Sequence, residues 1–176
     1  MKKLSLALVM LTGIATLQSC TEGRGNSYAT KDKVDINGVT FIKSIHEGGM
    51  MEIDASKIAK KNSTNSDVTA FADMMITDHT AMGADVDSLA VHKFVIIRDT
   101  VDYDHKTILD SLAKKTGADF DKAYMALMVA GHKDAAELFE INKTSNYTEI
   151  RDVVDKYQSK IEDHLKAAEK VSASLK

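Results

Sequence analysis

Four side chains that can ligate metal ions interrupt apolar helical patterns in this 176-residue chain. Glu52, His79 and His164 stand where a regular four-three spacing otherwise places apolar residues, and His132 borders the apolar face of another segment. Burying an ionisable group is costly unless the group is paired or coordinated. We therefore expect the four side chains to meet inside the protein, either as a metal site or as a hydrogen-bonded network within the core.

The residue types of this group also indicate which ligand it would take. The cofactor is unknown from the sequence; in the metal-site alternative it is a transition metal, because imidazole and carboxylate bind zinc, copper and iron. Met75 and Met82 share a helix face with His79, and thioether beside imidazole favours copper, although methionine is also a common filler of helical cores. A metal site needs neutral imidazoles, so its affinity is expected to fall as the pH drops through about 6.5. The adjacent acids Asp78 and Asp163 are expected to face solvent.

The sequence carries no signature of catalysis. Di-iron enzymes built on helical bundles use Glu-x-x-His, which places a carboxylate and an imidazole on one helix face. Here the residues three positions before the histidines are Ile76, Val129 and Ile161. Neither a Ser/His/Asp set nor a phosphate-binding loop is present. We therefore predict no catalytic residues and a protein that is not an enzyme.

Helical periodicity from about residue 38 onward defines the elements that position these side chains. The short polar links at 62–65 and 143–146 imply antiparallel neighbours. The predicted fold is all-α, an antiparallel four-helix bundle of ferritin-like type, with a short extra helix at about 106–115 between the second and third long helices. That connection either crosses the bundle or caps one end, and it contains Phe94–Ile97, a segment that could be extended. The long helices are predicted at about 38–61, 66–91, 118–142 and 147–175.

Composition agrees with a helical protein and excludes one class of partner. The chain has no proline, the strongest helix breaker, and nine methionines. Its formal net charge is -3, without a basic face or a run of Lys and Arg. Nucleic-acid binding is therefore not expected, because it needs positive charge against the phosphates.

Glycines stand beside the polar positions of the helices. Gly48 and Gly49 lie one turn before Glu52, and Gly131 precedes His132. Each glycine costs about 1 kcal/mol relative to alanine in a helix interior. They either leave room for a metal, water or ligand, or allow two helices to pack closely.

The N-terminal segment reads as an export signal. Residues 1–19 have a positive start at Lys2 and Lys3 and an apolar stretch too short to span a membrane permanently. The stretch ends in Leu17-Gln18-Ser19-Cys20, which resembles the bacterial lipobox; the alternative is an ordinary secretory signal that happens to contain a cysteine. We expect lipidation of Cys20, a lipidated cysteine and flexible tether at 20–37 and a bundle domain at 38–176. The expected location is the cell envelope, as an outer-membrane lipoprotein facing the periplasm or the cell surface.

Several short motifs in order resemble a known family. These are Phe41 with Glu47-Gly48-Gly49 and Glu52, Phe71-Ala72 through Asp78-His79, Phe120-Asp121 with Tyr124 and His132, and finally His164. The set resembles the domain of unknown function 4142 family, ferritin-like proteins of the bacterial envelope described as outer-membrane or exported. The resemblance implies that fold and location, and it carries over Glu52, His79, His132 and His164 as the site residues. It names no reaction, and the connection from Phe94 to Asp104 lacks the proline expected there.

Two functions follow as expectations. The first is a non-enzymatic envelope lipoprotein whose bundle has a binding, structural or stress-related role, with the membrane as its partner through the lipid and no protein partner identified. The second is a metal-binding or metal-storage protein that uses the Glu/His cluster.

The lipobox predicts that the mature protein begins at an acylated Cys20. Because this is the only cysteine, Cys20→Ala should abolish acylation and remove the protein from the membrane fraction. Intact-mass measurement after detergent extraction checks the modification. Recovery of the Cys20→Ala variant in membranes with unchanged mass would contradict the prediction.

Overall fold

The computed structural model describes residues 33–175 and contains five helices there, with no strand among those residues. All four long helices and the short one agree with the prediction to within about three residues, and the all-α fold class is confirmed. None of the described helices is long and apolar enough to cross a membrane. Cys20 and the signal segment 1–19 lie outside the described residues. The helices are α1 (Ile36–Asn62), α2 (Ser66–His92), α3 (Tyr103–Ala113), α4 (Gly117–Asn142) and α5 (Thr148–Ser174).

Three helices begin at side chains that satisfy their first free backbone N–H groups. Asp35 accepts from the N–H of Gly38 at the start of α1, and Asn65 and Asp102 do the same for α2 and α3. Such caps stabilise a helix by about 1 kcal/mol each. They explain why the helices start directly after the polar links.

The long helices form two antiparallel hairpins, α1 with α2 and α4 with α5, which pack so that α1 contacts α4 and α2 contacts α5. At one end, the N–H of Asp35 donates to the hydroxyl of Tyr147 at 2.9 Å, and Lys93 pairs with Glu149 at 2.7 Å. We call this the proximal end; here α1 and α5 begin and α2 and α4 end. The distal end carries the 63–65 turn and the link from α3 to α4.

The connection from α2 to α4 crosses the bundle from one end to the other and does not simply cap one end, which were the two alternatives left by the sequence. It leaves α2 at the proximal end and must reach Gly117 at the distal end, because α2 and α4 run in the same direction. The Phe94–Ile97 segment is irregular and not a strand. The rest of the connection forms α3, which starts three residues earlier than predicted and lies against α1 and α4.

The apolar core is divided in two along the bundle axis. The proximal cluster centres on Phe41 and Phe139, whose ring centroids lie 5.4 Å apart. The distal cluster centres on Phe71, Phe120 and Tyr124. On α2, α4 and α5 the buried histidine falls between the stretches that belong to the two clusters, and on α1 Glu52 follows Met51 at the start of the distal stretch. A polar layer therefore separates two apolar halves.

Candidate metal centre

The polar layer brings together all four predicted site residues, one from each long helix. His79, His132 and His164 form a nearly equilateral triangle with ring centroids 5.4 to 5.5 Å apart. One ring nitrogen from each can be chosen so that all three lie within 4.8 Å of one another. Glu52 lies beside two of them, with Oε2 3.3 Å from His79 Nε2 and Oε1 3.2 Å from His132 Nδ1.

Helix geometry explains how these residues reach one level. Counted along the chain from the 62–65 turn, His79 is four residues further away than Glu52, which is about 6 Å at 1.5 Å per residue. Side chains on a helix lean toward its N-terminus. Glu52 therefore leans away from the turn and His79 leans toward it, which closes the gap. The same argument holds for His132 and His164 about the 143–146 link.

Hydrogen bonds at the periphery hold two of the rings in a defined tautomer. Nδ1–H of His132 donates to the carbonyl oxygen of Met128 at 2.9 Å. Nε2–H of His164 donates to Asp78 Oδ2 at 2.9 Å. The remaining nitrogens, Nε2 of His132 and Nδ1 of His164, are buried and have no hydrogen-bond partner among the described residues. Each ring therefore directs a lone pair into the layer.

His79 is the least satisfied of the three rings. Its side chain is 2% exposed, and within residues 33–175 neither ring nitrogen makes a hydrogen bond. The 3.3 Å approach of Glu52 lacks hydrogen-bond geometry. Buried polar atoms are rarely left without a partner, and each such atom costs about 1–3 kcal/mol. His79 is therefore the ring whose nitrogens most need a partner that the described residues do not supply.

Asp78 is a part of the site that the sequence interpretation missed. It was expected to face solvent, yet its side chain is only 22% exposed and contacts both His164 and Lys160. Partial burial acts to raise the pKa of Asp78, but the hydrogen bonds from Lys160 and His164 outweigh it and lower that pKa. An ionised carboxylate behind a histidine is the usual outer-shell partner of a metal-binding imidazole. Asp163, in contrast, is exposed as expected.

Burial keeps the inner groups uncharged. It lowers the pKa of His79 from the ordinary 6.5 to about 3 and that of His132 to about 4, and it also lowers the pKa of His164 despite the opposing effect of Asp78. Burial raises the pKa of Glu52 from 4.5 to about 8. The Glu52 contacts are thus between neutral groups. The expected loss of metal affinity through pH 6.5 consequently moves to lower pH, because these imidazoles are already neutral there.

Two grooves reach His79 from the surface. The larger, about 640 Å³, has Glu52 and His79 among the residues that line it, together with Gly48, Gly49 and Gly131. The smaller, about 380 Å³, approaches His79 past Gly83. A small solute can therefore come close to the layer although the layer itself is buried.

A second polar group lies along the larger groove, where α3 meets α1. Glu47 accepts the backbone N–H of Asp102 at 2.9 Å, and Nδ1 of His105 lies 3.7 Å from Glu47 and 3.5 Å from Asp102. Asp102 also caps α3. These contacts attach the start of α3 to α1, and sequence reasoning did not identify them because the residues are distant in the chain.

The glycines differ in what they permit. A Cβ atom on Gly131 would lie 2.8 Å from Glu52 Oε1, whereas one on Gly48 would meet nothing within 4 Å. Gly131 thus allows the Glu52 carboxyl to lie against α4. Of the two roles considered for the glycines, Gly131 has that of leaving room for the polar layer. Gly48 does not, because a side chain there would contact nothing.

Comparison with known proteins agrees with the resemblance predicted from the motifs. A family model described as domain of unknown function (DUF4142) matches residues 25–171. A search of curated proteins found no match. Among solved structures, one titled "Crystal structure of DUF305 fragment from Deinococcus radiodurans" is similar, with a TM-score of 0.71 and 10% identity over 81% of this chain and 99% of that chain. At that identity the likeness supports the fold alone.

The pKa shifts predict that the metal-free protein is most stable near pH 6.5. The buried histidines contribute stability that is present above about pH 6.5 and is lost as the pH falls toward their folded values of about 3 and 4. Glu52 acts in the opposite direction: its contribution is present below about pH 4.5 and is lost as the pH rises through about 8. Urea unfolding with chelator present, across this range, measures the profile.

Glu52→Gln should remove the decline between pH 6.5 and 8, since the amide does not ionise. The exposed Glu162 provides the control, and Glu162→Gln should keep the decline. A decline that persists in Glu52→Gln contradicts the assignment.

The glycine contacts predict unequal effects on stability for two alanine substitutions. Gly48→Ala should stabilise the protein by up to about 1 kcal/mol through helix propensity. Gly131→Ala should gain less or lose stability, because its Cβ displaces the Glu52 carboxyl from its buried position. Denaturant midpoints of the two variants make the comparison, and equal stabilisation would refute the role given to Gly131.

Proposed function

This chain belongs to the family described as domain of unknown function DUF4142, and for this member we propose that the bundle binds one transition-metal ion through His79, His132 and His164. The observation that carries the proposal is the set of buried ring nitrogens that have no partner within the described part of the chain. Three imidazoles, each with a nitrogen able to lie within 4.8 Å of the others, surround a common point. An ion at that point would satisfy all three.

The protonation states support this function. Neutral imidazole is the form that ligates metals, and burial keeps His79 and His132 neutral well below pH 6.5. His164 is oriented by Asp78 and His132 by the Met128 carbonyl, as metal-binding histidines are oriented by their outer-shell partners. Glu52 lies against the triangle and can lose its proton to balance the charge of an ion. We assign Glu52 to the site, either as a fourth ligand of the ion or as a carboxylate that balances its charge without binding it.

The ligand set selects a class of ion. Three imidazoles with one carboxylate suit divalent zinc, copper and iron, and do not suit magnesium or calcium, which prefer oxygen ligands. Among these divalent ions, copper should bind more tightly than either iron or zinc. The proposal is therefore a binding function for such an ion, with no reaction assigned.

A core network without metal is the alternative, and the contacts favour it less. In such a network the imidazoles would hydrogen-bond to one another or to Glu52. Instead, Nε2 of His132, Nδ1 of His164 and both nitrogens of His79 make no hydrogen bond among residues 33–175.

We also propose that the domain acts in the cell envelope, held at the outer membrane by lipid on Cys20 and facing the periplasm or the cell surface. The support is the lipobox-like sequence ending at Cys20 and the tether that follows it. Intact-mass measurement of the mature protein tests this part independently of metal binding.

Titration calorimetry of tag-free protein with zinc, copper and iron should give one bound ion per chain for at least one of them. Alanine at His79, His132 or His164 should abolish binding, because each change removes one of three ligands. Asp78→Asn should weaken affinity by about 10–100-fold through the loss of the outer-shell carboxylate. The control is His92→Ala, which removes an exposed histidine outside the cluster and should bind like the wild type.

Failure of all three ions to bind the wild type would refute the metal proposal. The histidine substitutions would then lower stability only through changes in the core network, by about 1–3 kcal/mol.

A further inference from the structure

Exposed apolar side chains concentrate at one end of the bundle. Among the described residues, seven large hydrophobic side chains are exposed, and five of them lie at the proximal end, each 64–85% exposed. The other two, Tyr103 and Ile108, lie on α3, and none of the seven belongs to the distal end. Isolated exposed apolar residues are common, but several at one end of a molecule indicate an interaction surface. The five are Ile36, Val91, Phe94, Ile96 and Ile141.

Phe94 is held outward by its backbone. It is the one non-glycine residue with positive φ, 56°, in the described chain. The N–H groups of Phe94 and Val95 donate to the carbonyl oxygens of Val91 and Ala90 in a tight turn after α2. A bulky residue in this region of φ is strained, and at 69% exposure its ring gains little from internal packing. The turn therefore presents an aromatic ring to the surroundings.

The predicted lipid anchor attaches at this same end. The described chain starts at Lys33, beside α1, and about 12 residues separate it from Cys20. Even fully extended, such a tether reaches roughly 40 Å. An anchor at Cys20 thus keeps the proximal end within reach of the bilayer. Since the distal end lies a whole helix further away, the apolar end is the one that the tether holds nearest to lipid.

Charge at the proximal end is balanced. Exposed Lys33 lies near Asp35 in the chain, and exposed Arg98 is next to Asp99. A surface of this kind does not depend on anionic lipid for attraction, in contrast to polybasic membrane-binding segments. Its contact with a bilayer would come from the apolar side chains.

We propose that the proximal end docks on the lipid bilayer, with Phe94, Ile96 and their apolar neighbours inserted at the membrane interface. The inference rests on the proposed lipid anchor at Cys20. A few interfacial side chains bind lipid weakly alone, but a tether makes the contact intramolecular and raises its effective concentration. Docking orients the bundle, because His79 is then held roughly 20 Å from the membrane, 13 residues from the end of α2 at 1.5 Å per residue.

Tryptophan scanning tests this docking, because the chain has no native tryptophan. Phe94→Trp and Ile96→Trp place the only indole at the proximal end, and Thr64→Trp places it in the exposed distal turn as the matched control. The full acylated lipoprotein is reconstituted in phosphatidylcholine vesicles with and without bromine on the acyl chains. The proximal tryptophans should emit at shorter wavelength and lose on the order of half of their emission to bromine, while the distal one should not change.

Equal, water-like emission from all three positions would overturn the proposal. A blue shift at the proximal positions without bromine quenching would also overturn it, since it would indicate contact with protein, including a second copy of this chain. If the intact mass shows that Cys20 is unmodified, that measurement refutes the proposed lipid anchor. The same quenching comparison, made with the unacylated chain and added vesicles, then still decides whether this end binds lipid.

Discussion

A single constraint organises this bundle: three buried imidazoles and a carboxyl must be accommodated between two apolar half-cores. Each long helix supplies one of these groups at the same level. His132 and His164 are fixed by the hydrogen bonds that they donate to Met128 and Asp78 at the periphery, while His79 makes none among the described residues. The burial that stabilises the apolar halves also neutralises Glu52 and His79. Fold and site are therefore two consequences of one arrangement, in which the core is built around lone pairs that point inward.

Much of this arrangement could be predicted from the sequence. Helical periodicity located all five helices, and polar residues at apolar positions identified Glu52, His79, His132 and His164, because burial of an ionisable group is unusual enough to stand out in a single sequence. The links within the two hairpins were short enough to imply antiparallel packing. The path of the α2–α4 connection could not be predicted, since it depends on which helices pack together around the bundle.

Other features depend on distances that periodicity does not contain. A count of residues from the turns left Glu52 and His79 about 6 Å apart in height, and only the opposite lean of side chains on antiparallel helices closes that gap. Asp78 was assigned to solvent because it comes one position before His79, off the apolar face of its own helix, yet α5 brings His164 and Lys160 against it. The pKa values likewise follow from three-dimensional burial. Such contacts between helices are the part of a site that a single sequence hides.

X-ray absorption spectroscopy of the zinc-loaded protein tests the central claim most directly, because it counts the ligands around the ion. If the triangle of His79, His132 and His164 is the site, the spectrum should show three imidazole nitrogens at about 2.0–2.1 Å, with oxygen completing the shell. The His92→Ala variant should give the same spectrum, whereas His164→Ala should retain no zinc at the site, so that no imidazole signal remains. A first shell of oxygen alone, or one with fewer than two imidazoles, would contradict the account.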